Sequence, residues 1–404
     1  MTASVPHLPE PGDVIELTVG EVANGGWCVA RTDAGPVVFV RHALPGERVR
    51  AVITQTTSRF ARADATQILD ASADRVPPPC PYARPGGCGG CDWQHAGLPA
   101  QRALKAAVIG QQLRRIAGIE REVTVEPMPG DETGLGWRTR VKFAVGRGGV
   151  AGLRGHRSHQ VMGIEDCLIA HPLIETAAVT GRRWPGAASV EVTVAPGSGQ
   201  RALIVSGRRG AERGPAHLRQ RAAGRDWRVS ATGFWQVHPA AADTLAAAVL
   251  DALRPRPGDA ALDLYCGAGL FAGVLADAVG PSGSVTAIEA DTEAVRDARH
   301  NLRGTPWARI YRGDAAALLE RNAQSPATLA VVDPPRAGLD RKVVDLLSGP
   351  GRVSRIAYVS CDPATLARDL AAFGASGWEL EALRAFDAFP MTHHVECLAT
   401  LARD

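Results

Sequence analysis

The stretch Asp263-Leu264-Tyr265-Cys266-Gly267-Ala268-Gly269 decides the fold of the C-terminal half of this 404-residue chain. Its first residues end the apolar run Ala261–Leu264, and an apolar, alanine-rich segment follows, so the pattern predicts a strand, a glycine turn and a helix. Glycines in such a turn let a ligand approach the backbone closely, and the helix N-terminus favours negative charge. Gly267 and Gly269 alone fit several nucleotide-containing cofactors and do not choose among them.

The alternation of strand and helix extends along the chain on both sides of this turn. From about Ala240 to the C-terminus, alanine-rich helical segments separate short apolar runs. The strand-like runs are Ala261–Leu264, Val285–Ile288, Leu329–Val332, Arg355–Val359 and Cys397–Leu401. Alternating strands and helices predict a mostly parallel sheet with helices on both faces, which is a doubly wound, Rossmann-like fold.

Three acidic residues follow successive predicted strands of this sheet. Glu289 lies 22 residues after Gly267, and Asp314 follows the third strand. Asp333 ends the fourth strand, just before Pro334-Pro335-Arg336. Carboxylates at the carboxyl ends of parallel strands line one crevice, where they can bind ribose hydroxyls and read an adenine amino group. A nicotinamide-dependent oxidoreductase would explain Gly267 and Glu289, but it leaves the Asp-Pro-Pro-Arg element without a role.

A single cysteine and a late acid occupy positions that would face the same crevice. Cys361 ends a buried-looking strand and precedes the predicted helix Ala364–Phe373, whose N-terminus can stabilise a thiolate. Glu396 stands at the start of the last predicted strand, where a carboxylate can act as a general base. Taken alone, each residue also fits a plainer interpretation, namely a buried core thiol and an exposed strand-end acid.

Four further cysteines, Cys80, Cys88, Cys91 and Cys167, form a group of three plus one along the sequence. Four thiolates suit either a zinc ion or an iron–sulfur cluster, and the three-plus-one spacing fits a cubane cluster better than two close zinc-type pairs. Radical chemistry at a cluster with one open iron calls for three cysteines in a tighter triplet, so we do not expect it. Disulfides are the less expected use in a large chain without a secretion signal.

The composition is that of a globular chain, with 45% hydrophobic and 22% charged residues, and it excludes wholesale disorder. No apolar run reaches the length of about 18 residues expected of a membrane helix, and Met1–Glu10 lacks the apolar region of a signal peptide. We therefore expect a cytoplasmic protein without membrane contact. The net charge is only +3, but residues 101–160 carry 11 basic and 5 acidic side chains. This basic stretch, with Arg138, Arg140 and Lys142, fits a surface that faces phosphate groups.

Two other regions precede the Rossmann-like part. Residues 12–70 contain short strand-like runs separated by turn signals such as Asn24-Gly25-Gly26, which is the pattern of a compact barrel of OB type. A helix is predicted over Pro99–Ala117. Residues 122–237 alternate strand-like pieces with glycine-rich turns and predict a central, mostly β domain.

Together these motifs resemble those of the RNA uracil-C5 methyltransferases, which make 5-methyluridine in transfer and ribosomal RNA. The matching motifs, in the family's order, are Gly233-Phe234-Trp235-Gln236-Val237, Asp263-Leu264-Tyr265-Cys266-Gly267, Asp333-Pro334-Pro335-Arg336, Ser360-Cys361-Asp362-Pro363 and His394-Val395-Glu396. The four cysteines match the family's iron–sulfur site, and residues 12–70 look like its TRAM domain, an RNA-binding barrel. The resemblance spans nearly the whole chain.

The resemblance implies a multi-domain α/β fold in three parts. These are a TRAM-like OB barrel over residues 8–72, a central RNA-binding domain with the iron–sulfur site over 78–237, and a class I methyltransferase domain over 238–404. The residues implied to contact S-adenosyl-L-methionine are Gln236, Tyr265, Gly267, Glu289, Asp314 and Asp333. Those implied to hold a [4Fe-4S] cluster are Cys80, Cys88, Cys91 and Cys167. Leu270 departs from the family pattern, which often has a polar residue there, and the spacing between Cys80 and Cys88 is longer than usual.

In the chemistry that the resemblance implies, Cys361 is the nucleophile that adds to C6 of uracil, and Glu396 is the base that removes the C5 proton. RNA is then the partner of a monomeric enzyme, with large-subunit (23S) ribosomal RNA as the expected target by family analogy and transfer RNA as the alternative. Trp93, Trp137 and Trp235 could stack on bases, although core packing is the expected use of each. A non-catalytic RNA-binding iron–sulfur protein and a nicotinamide-dependent oxidoreductase are the alternative classes.

Overall fold

The computed structural model describes residues 9–32, 36–207, 214–321, 327–349 and 353–403. The predicted domain limits at residues 8 and 404, and most of the segment Met1–Glu10, lie outside these described residues. Within them the chain forms a closed barrel, a five-stranded sheet with a separate hairpin, and an eight-stranded sheet. No helix in this part of the chain is long and apolar enough to cross a membrane.

The barrel lies at the N-terminus, as predicted. Its strands are β1 (Val14–Ala23), β2 (Trp27–Arg31), β3 (Val37–Arg41), β4 (Arg48–Thr56) and β5 (Phe60–Asp70), closed in the order β1-β2-β3-β5-β4. Leu17 and Val19 alternate with exposed residues along β1 and are buried in the barrel core. Gly25 and Gly26 both have a left-handed backbone, which the tight connection between β1 and β2 requires. The predicted OB-type barrel is confirmed.

A helical segment links the barrel to the rest of the chain. Helix α1 (Leu98–Gln112) continues as a π-helical turn over Leu113–Ala117 and is followed by the short strand β6 (Val125–Glu126). The helix therefore covers the span predicted for it. Leu104 and Val108 on α1 pack against the barrel core.

The central region is mostly β, as its alternating pattern predicted. Its elements are β7 (Arg140–Val145), β8 (Ala151–Arg154), β9 (Val161–Gly163), the short helix α2 (Thr176–Thr180), β10 (Ser189–Ala195), β11 (Gln200–Ser206), β12 (His217–Ala222) and β13 (Arg225–Ser230). The five-stranded sheet has the order β11-β10-β7-β8-β9, and β12 pairs with β13 as a hairpin. After β13 the chain passes directly into the motif Gly233–Val237.

The C-terminal region is a doubly wound sheet, which confirms the predicted fold. Its elements are α3 (Ala241–Leu253), β14 (Ala260–Leu264), α4 (Leu270–Val279), β15 (Ser284–Glu289), α5 (Thr292–Asn301), β16 (Ala308–Arg312), α6 (Ala315–Arg321), β17 (Leu329–Val332), α7 (Arg341–Leu347), β18 (Arg355–Ser360), α8 (Pro363–Gly374), β19 (Glu379–Phe386) and β20 (Glu396–Ala402). Strands β16, β15, β14, β17 and β18 are parallel, and β20 and β19 add antiparallel pairings. The strand order reverses at β14, so a crevice is expected at the carboxyl ends beside it.

The sheet is buried on both faces by two separate hydrophobic cores. Leu245, Phe271 and Leu275 belong to the core on one face, whereas Val343, Leu366 and Phe373 belong to the core on the other. Because the central strands are covered on both sides, they read in the sequence as continuous apolar runs instead of alternating ones.

One short strand joins a different sheet from the one that the sequence suggested. Val125–Glu126 was expected among the strands of the central region, but β6 pairs in parallel with β19 at the edge of the C-terminal sheet. Ile109 and Leu113 on the preceding helical segment also join the core beneath α8. Apolar periodicity identifies the buried face of a segment, but not the partner that buries it. The domain limits themselves remain predictions.

Candidate active site

A cleft of about 1240 Å³ opens at the carboxyl ends of the central parallel strands. The predicted site residues that line it are Gln236, Tyr265, Gly267, Glu289, Asp333, Cys361 and Glu396. They come from separate parts of the sequence, and the reversal of strand order at β14 is what places their elements around one opening.

The glycine turn after β14 forms one wall of the cleft. Tyr265 has a φ of +65°, which is uncommon for a residue with a side chain, and Gly267 and Gly269 have φ values of +54° and +92°. The backbone N–H groups of Tyr265 and Cys266 donate to the Ile288 carbonyl and hold the turn against β15. A Cβ atom built on Gly267 would meet nothing within 4 Å, so this glycine faces open space.

Glu289 lies at the end of β15, opposite the glycine turn. Its Oε2 accepts a hydrogen bond from Gly267 N (3.0 Å), and its Oε1 accepts from the N–H groups of Ala290 and Asp291 (2.8 Å each). These contacts fix the carboxylate at the cleft wall and still leave lone pairs for the hydroxyls of a ribose. With the open space beside Gly267, this arrangement fits a nucleoside-containing cofactor such as S-adenosylmethionine.

Asp314 is the predicted cofactor residue that does not line the cleft. It is exposed, and its Oδ1 accepts a hydrogen bond from Ala317 N (2.9 Å) at the start of α6. This contact is the helix-capping role that any strand-end aspartate can have. Burial is the main cause that raises the pKa of Tyr265, and the charge of Asp314 raises it further. Asp314 therefore stands close to the cleft, and its contact with the cofactor stays a prediction.

Gln236 enters the cleft from the loop that follows β13, and Arg140 holds this loop in place. The Arg140 Nη2 donates to the carbonyls of Ala231 (3.0 Å) and Gly233 (2.5 Å). The sequence suggested that Arg140 faces phosphate groups. In the structure its guanidinium instead binds backbone carbonyls inside the chain. Arg138 lines the cleft, whereas the Lys142 side chain is 64% exposed.

Cys361 lies directly after β18 and directly before Asp362, which caps α8 by accepting from the N–H groups of Ala364 and Thr365. The thiol is half-buried and lines the cleft. Its pKa is raised to about 11, mainly by burial and then by the charge of Glu396, whereas Arg336 lowers it. The helix N-terminus was expected to favour the thiolate, but burial and the nearby carboxylates give a net rise in the pKa of the thiol. In contrast, Cys397 is fully buried in the core.

Glu396 is the first residue of β20 and is 4% exposed. Because β20 runs antiparallel to β18 with Ser360 opposite Cys397, Glu396 stands at the end of the ladder beside Cys361. Burial and then the Asp333 charge raise the pKa of Glu396, and Arg336 opposes them. Burial also raises the pKa of Asp333 to about 7. A carboxylate with a raised pKa is suited to accept a proton near neutral pH.

The loop that leads into β20 is tied to the segment after Cys91. The N–H groups of Asp92 and Trp93 donate to the Met391 carbonyl (2.9 and 3.0 Å). Asp92 Oδ2 also accepts from the backbone N (3.2 Å) and the Nδ1 (2.6 Å) of His393. Lys105, fully buried on α1, donates to Asp387 Oδ1 (2.5 Å) at the other end of the loop. Hydrogen bonds therefore connect the region of the four cysteines directly to the loop before β20, the strand that begins with Glu396.

The structure adds cleft residues to which the sequence interpretation gave no role. Arg336 lies close enough to donate to His394 Nε2 (3.4 Å) and carries the positive charge nearest to Cys361 and Glu396. Phe234 lines the cleft and is 64% exposed, so its ring is available for stacking. Arg336, His394 and Phe234 stand inside motifs that the sequence had already singled out, and their place in those motifs was the available signal.

The tryptophans behave as expected from core packing. Trp93 is buried in the barrel core and Trp137 is 4% exposed. Trp235 packs beside Trp227, with ring centroids 6.1 Å apart.

Cys80, Cys88, Cys91 and Cys167 all line one cavity of about 300 Å³ beside the cleft. The long Cys80–Cys88 interval folds into turns, and Cys88 N donates to the Tyr82 carbonyl (2.8 Å). Gln94 joins two of the cysteines, because it accepts from Cys80 N (3.0 Å) and donates to Cys91 Sγ (3.1 Å). Within the described ranges, no three His, Cys, Asp or Glu side chains are close enough to hold a single metal ion.

Comparisons with known proteins identify the family of the chain. A family model described as tRNA (Uracil-5-)-methyltransferase matches residues 324–404, and a TRAM domain model matches residues 10–66. A protein of Streptomyces avermitilis named an uncharacterized RNA methyltransferase is 50% identical, over 96% of this chain and 98% of its own length. A protein of Bifidobacterium longum with the same description is 34% identical, over 96% of each chain.

A solved structure shares the whole fold. The Pyrococcus abyssi tRNA (uracil-54, C5)-methyltransferase, in complex with S-adenosyl-L-homocysteine, has a TM-score of 0.71 and covers 96% of this chain and 99% of its own, at 21% identity. These findings do not support the alternatives of an oxidoreductase or a non-catalytic RNA-binding protein. The chain belongs to the family of S-adenosylmethionine-dependent RNA (uracil-C5) methyltransferases.

Proposed function

We propose that this chain forms 5-methyluridine through a covalent bond between Cys361 and C6 of the target uracil. One observation carries the proposal. The antiparallel pairing of β18 and β20 puts the Cys361 thiol and the Glu396 carboxylate side by side, in the cleft that the glycine turn also lines. A nucleophile and a base beside a cofactor wall are the groups that this reaction needs.

The chemistry explains why a thiol is required. C5 of uracil is too weak a nucleophile to take a methyl group directly. When the Cys361 thiolate bonds to C6, the electron pair of the C5–C6 double bond moves to C5, which becomes enolate-like. S-adenosylmethionine, when bound, would supply an electrophilic methyl group; C5 takes it as the methyl–sulfur bond breaks, and S-adenosylhomocysteine is the leaving group. Covalent catalysis thus divides one difficult step into easier ones.

Glu396 completes the reaction by removing a proton. After methylation, C5 carries both the methyl group and its original hydrogen. Glu396 accepts that hydrogen as a proton, the electron pair restores the C5–C6 double bond, and the bond from C6 to Cys361 breaks. Burial among apolar and acidic neighbours raises the pKa of Glu396, which makes it a stronger base once it is ionised.

The cofactor is proposed to bind along the wall formed by Tyr265, Gly267 and Glu289, with Gln236 and Asp333 at the reacting end. Support comes from the open space beside Gly267 and from the free lone pairs of Glu289. Asp314 is the remaining predicted contact, at the margin of this wall. Leu270 is buried at the start of α4, so it contributes packing and no polar contact.

Cys80, Cys88, Cys91 and Cys167 are proposed to hold a [4Fe-4S] cluster. The support is that all four line one cavity of about 300 Å³. Four thiolates around one space suit an iron–sulfur cluster, and the three-plus-one spacing fits it better than two zinc-type pairs. Arg138 also lines the cavity, and its charge would offset the negative charge of a cluster with four thiolates. The cluster would tie the segment Cys80–Cys91 to the central sheet.

Large-subunit ribosomal RNA is the proposed target, by analogy with family members that combine a barrel with an iron–sulfur site. Transfer RNA is the second candidate, because the solved structure that shares the fold is a tRNA enzyme. Mass mapping of 5-methyluridine in ribosomal and transfer RNA from a deletion strain decides between them. A site that disappears in the deletion strain and returns with the wild-type gene identifies the target.

The covalent step is tested with RNA in which 5-fluorouridine replaces uridine. Fluorine at C5 cannot leave as a proton does, so the reaction should stop at a methylated adduct that survives denaturation. We expect peptide mass analysis to place the adduct on Cys361, and Cys28→Ala, a change deep in the barrel, to leave adduct formation intact. Methylation of normal RNA without any adduct, or an adduct on another residue, would overturn the mechanism.

A further inference from the structure

A second pocket lies at the seam between the barrel and the central sheet, apart from the cofactor wall. It has a volume of about 710 Å³ and is lined by residues of β2, β3 and β5, and by the loops around Gly86–Gly87 and Gly155–Ser158. Four arginines line it, Arg41, Arg62, Arg84 and Arg157, together with His156. Asp64 is the carboxylate that lines the pocket with them.

The arginines are held around one buried aromatic ring. The guanidinium carbons of Arg41, Arg62 and Arg157 lie 5.9, 5.5 and 5.6 Å from the ring centroid of Trp27. The His156 ring meets the same indole edge-on at 5.5 Å. Trp27 itself is 6% exposed, so it is not a surface on which a base could stack. Instead, it gathers three arginines from the barrel and the central sheet at one place.

Two of these arginines, and the neighbouring His156, have buried nitrogens without a hydrogen-bond partner. Arg41 is 6% exposed, and its Nη2 has no hydrogen-bond partner, with the nearest carboxylate oxygen, on Asp92, 3.8 Å away. The Nε of Arg62 and the Nε2 of His156 are likewise buried without a hydrogen bond. Burial lowers the pKa of Arg41, Asp92 and Asp64 raise it, and the charge of Arg157 lowers it again. Buried donors without partners are costly, and an anion that accepts from them would remove that cost.

The pocket adjoins the active-site cleft. His156 lines both, and the cleft begins at Gly89 and Gly90, in the loop whose earlier glycines line the pocket. If an RNA strand places its target uracil in the cleft, the backbone of that strand would pass this seam. The phosphate groups of the backbone are anions. We propose that the seam pocket is a binding site for a phosphate group of the RNA strand next to the target uridine. The proposal rests on the proposed function for its ligand, and it adds a second point of attachment.

The test measures equilibrium binding of a fluorescein-labelled, single-stranded oligouridylate at a series of salt concentrations, without cofactor. Arg41→Met keeps the packing of the side-chain stem and removes the charge, and Arg157→Met does the same at an exposed position. We expect each variant to weaken binding about tenfold at low salt, the size of one charge-assisted hydrogen bond. The slope of log K against log salt should fall by about 0.7 for each lost phosphate contact.

Arg59→Met is the matched control, because Arg59 is an exposed arginine of the same barrel that does not line the pocket. Its affinity and salt slope should equal those of the wild type. If Arg41→Met unfolds the chain, Arg157→Met decides alone. Wild-type affinity and slope in the folded variants would overturn the phosphate site. Because binding needs no chemistry, a chain that methylated no uracil would contradict the proposed function, and its binding curves would still show whether the pocket holds a phosphate.

Discussion

The two groups of cysteines in this chain occupy opposite kinds of environment. Cys361 is a single half-buried thiol in an open cleft, close to three carboxylates and one arginine. Cys80, Cys88, Cys91 and Cys167 surround a smaller cavity with Arg138 on its wall. The first arrangement leaves the proposed nucleophile facing a space for substrate, and the second surrounds a space with four proposed ligands. The neighbours of a thiol, more than the thiol itself, therefore indicate whether it is suited to react or to bind.

The largest expected effect comes from removing the single thiol. Cys361→Ala should lower the rate of methylation by about 10⁴-fold or more, because Cys361 is the cysteine among the described residues that line the cleft. The measurement is tritium release from RNA labelled at C5 of uridine. Cys28→Ala should release tritium at the wild-type rate. Substantial release by Cys361→Ala would mean that the comparison assigns the reactive role to the wrong cysteine.

Removing the base should have the next largest effect and leave a different signature. Glu396→Gln should slow turnover by about 10²–10⁴-fold, the usual share of a general base. Addition of Cys361 and methyl transfer do not need this carboxylate, so the methylated adduct should accumulate on ordinary RNA. The measurement is the amount of denaturation-stable protein–RNA complex over time. Equal loss of adduct and product would assign Glu396 to binding instead of proton removal.

The four-cysteine side of the comparison is tested by iron content and stability. Cys88→Ser should lose the visible absorption of the reconstituted protein, lower its iron and acid-labile sulfide, and reduce the temperature of unfolding, since a bound metal centre contributes to folding free energy. Cys397→Ser, in the core of the C-terminal sheet, serves as the control for cysteine substitution. Its iron content should stay at the wild-type value. Full iron content in Cys88→Ser would remove this cysteine from the proposed ligands.

Much of the arrangement of residues around the cleft could be predicted from the sequence, because the order of the strands produces it. Cys361 and Glu289 end apolar runs, and parallel strands bring their carboxyl ends to one edge, so both could be placed at the crevice without coordinates. Glu396 needed one further fact, that β20 runs antiparallel to β18. The motif of the resemblance supplied this placement, because the apolar pattern of a strand carries no direction.

The remainder depended on contacts between distant parts of the chain. Arg140 was expected to contact phosphate, yet it bonds the carbonyls of Ala231 and Gly233, about ninety residues later in the sequence. The contact of Asp92 with His393 spans about three hundred residues and has no periodicity that a sequence could display. Only the folded structure shows which group a buried charged side chain binds, because the same sequence offers many possible donor–acceptor pairs.

The link between the two cysteine regions predicts an intermediate effect. Asp92→Asn keeps the shape of the side chain but weakens its hold on the backbone and ring of His393, at the entrance to β20. We expect kcat to fall about tenfold, the value of one charged hydrogen bond, with little change in RNA affinity. The measurement separates kcat from KM under saturating cofactor, with Asp70→Asn, an exposed barrel position, as control. A change in RNA affinity with an unchanged kcat would mean that Asp92 does not position the base.

The smallest expected effect comes from removing the positive charge of Arg336, which acts on both Cys361 and Glu396. Arg336 lowers the pKa of both Cys361 and Glu396, against burial and against the carboxylates of Asp333 and Asp362. Arg336→Met should therefore raise the pKa of both groups, because it removes the charge that lowers them. The reaction needs the thiolate and the ionised carboxylate, so the loss of activity in the variant should be greatest at low pH.

The measurement is the single-turnover rate of methylation across a range of pH. For Arg336→Met the rising limb of the rate–pH curve should move to higher pH, and the difference from the wild type should shrink as both groups become ionised in both proteins. Arg341→Met, which removes an exposed arginine paired with Asp345 on α7, should leave the curve in place. A loss of rate that is the same at every pH would assign Arg336 to holding the RNA, because a lost binding contact has no reason to follow the ionisation of Cys361 and Glu396.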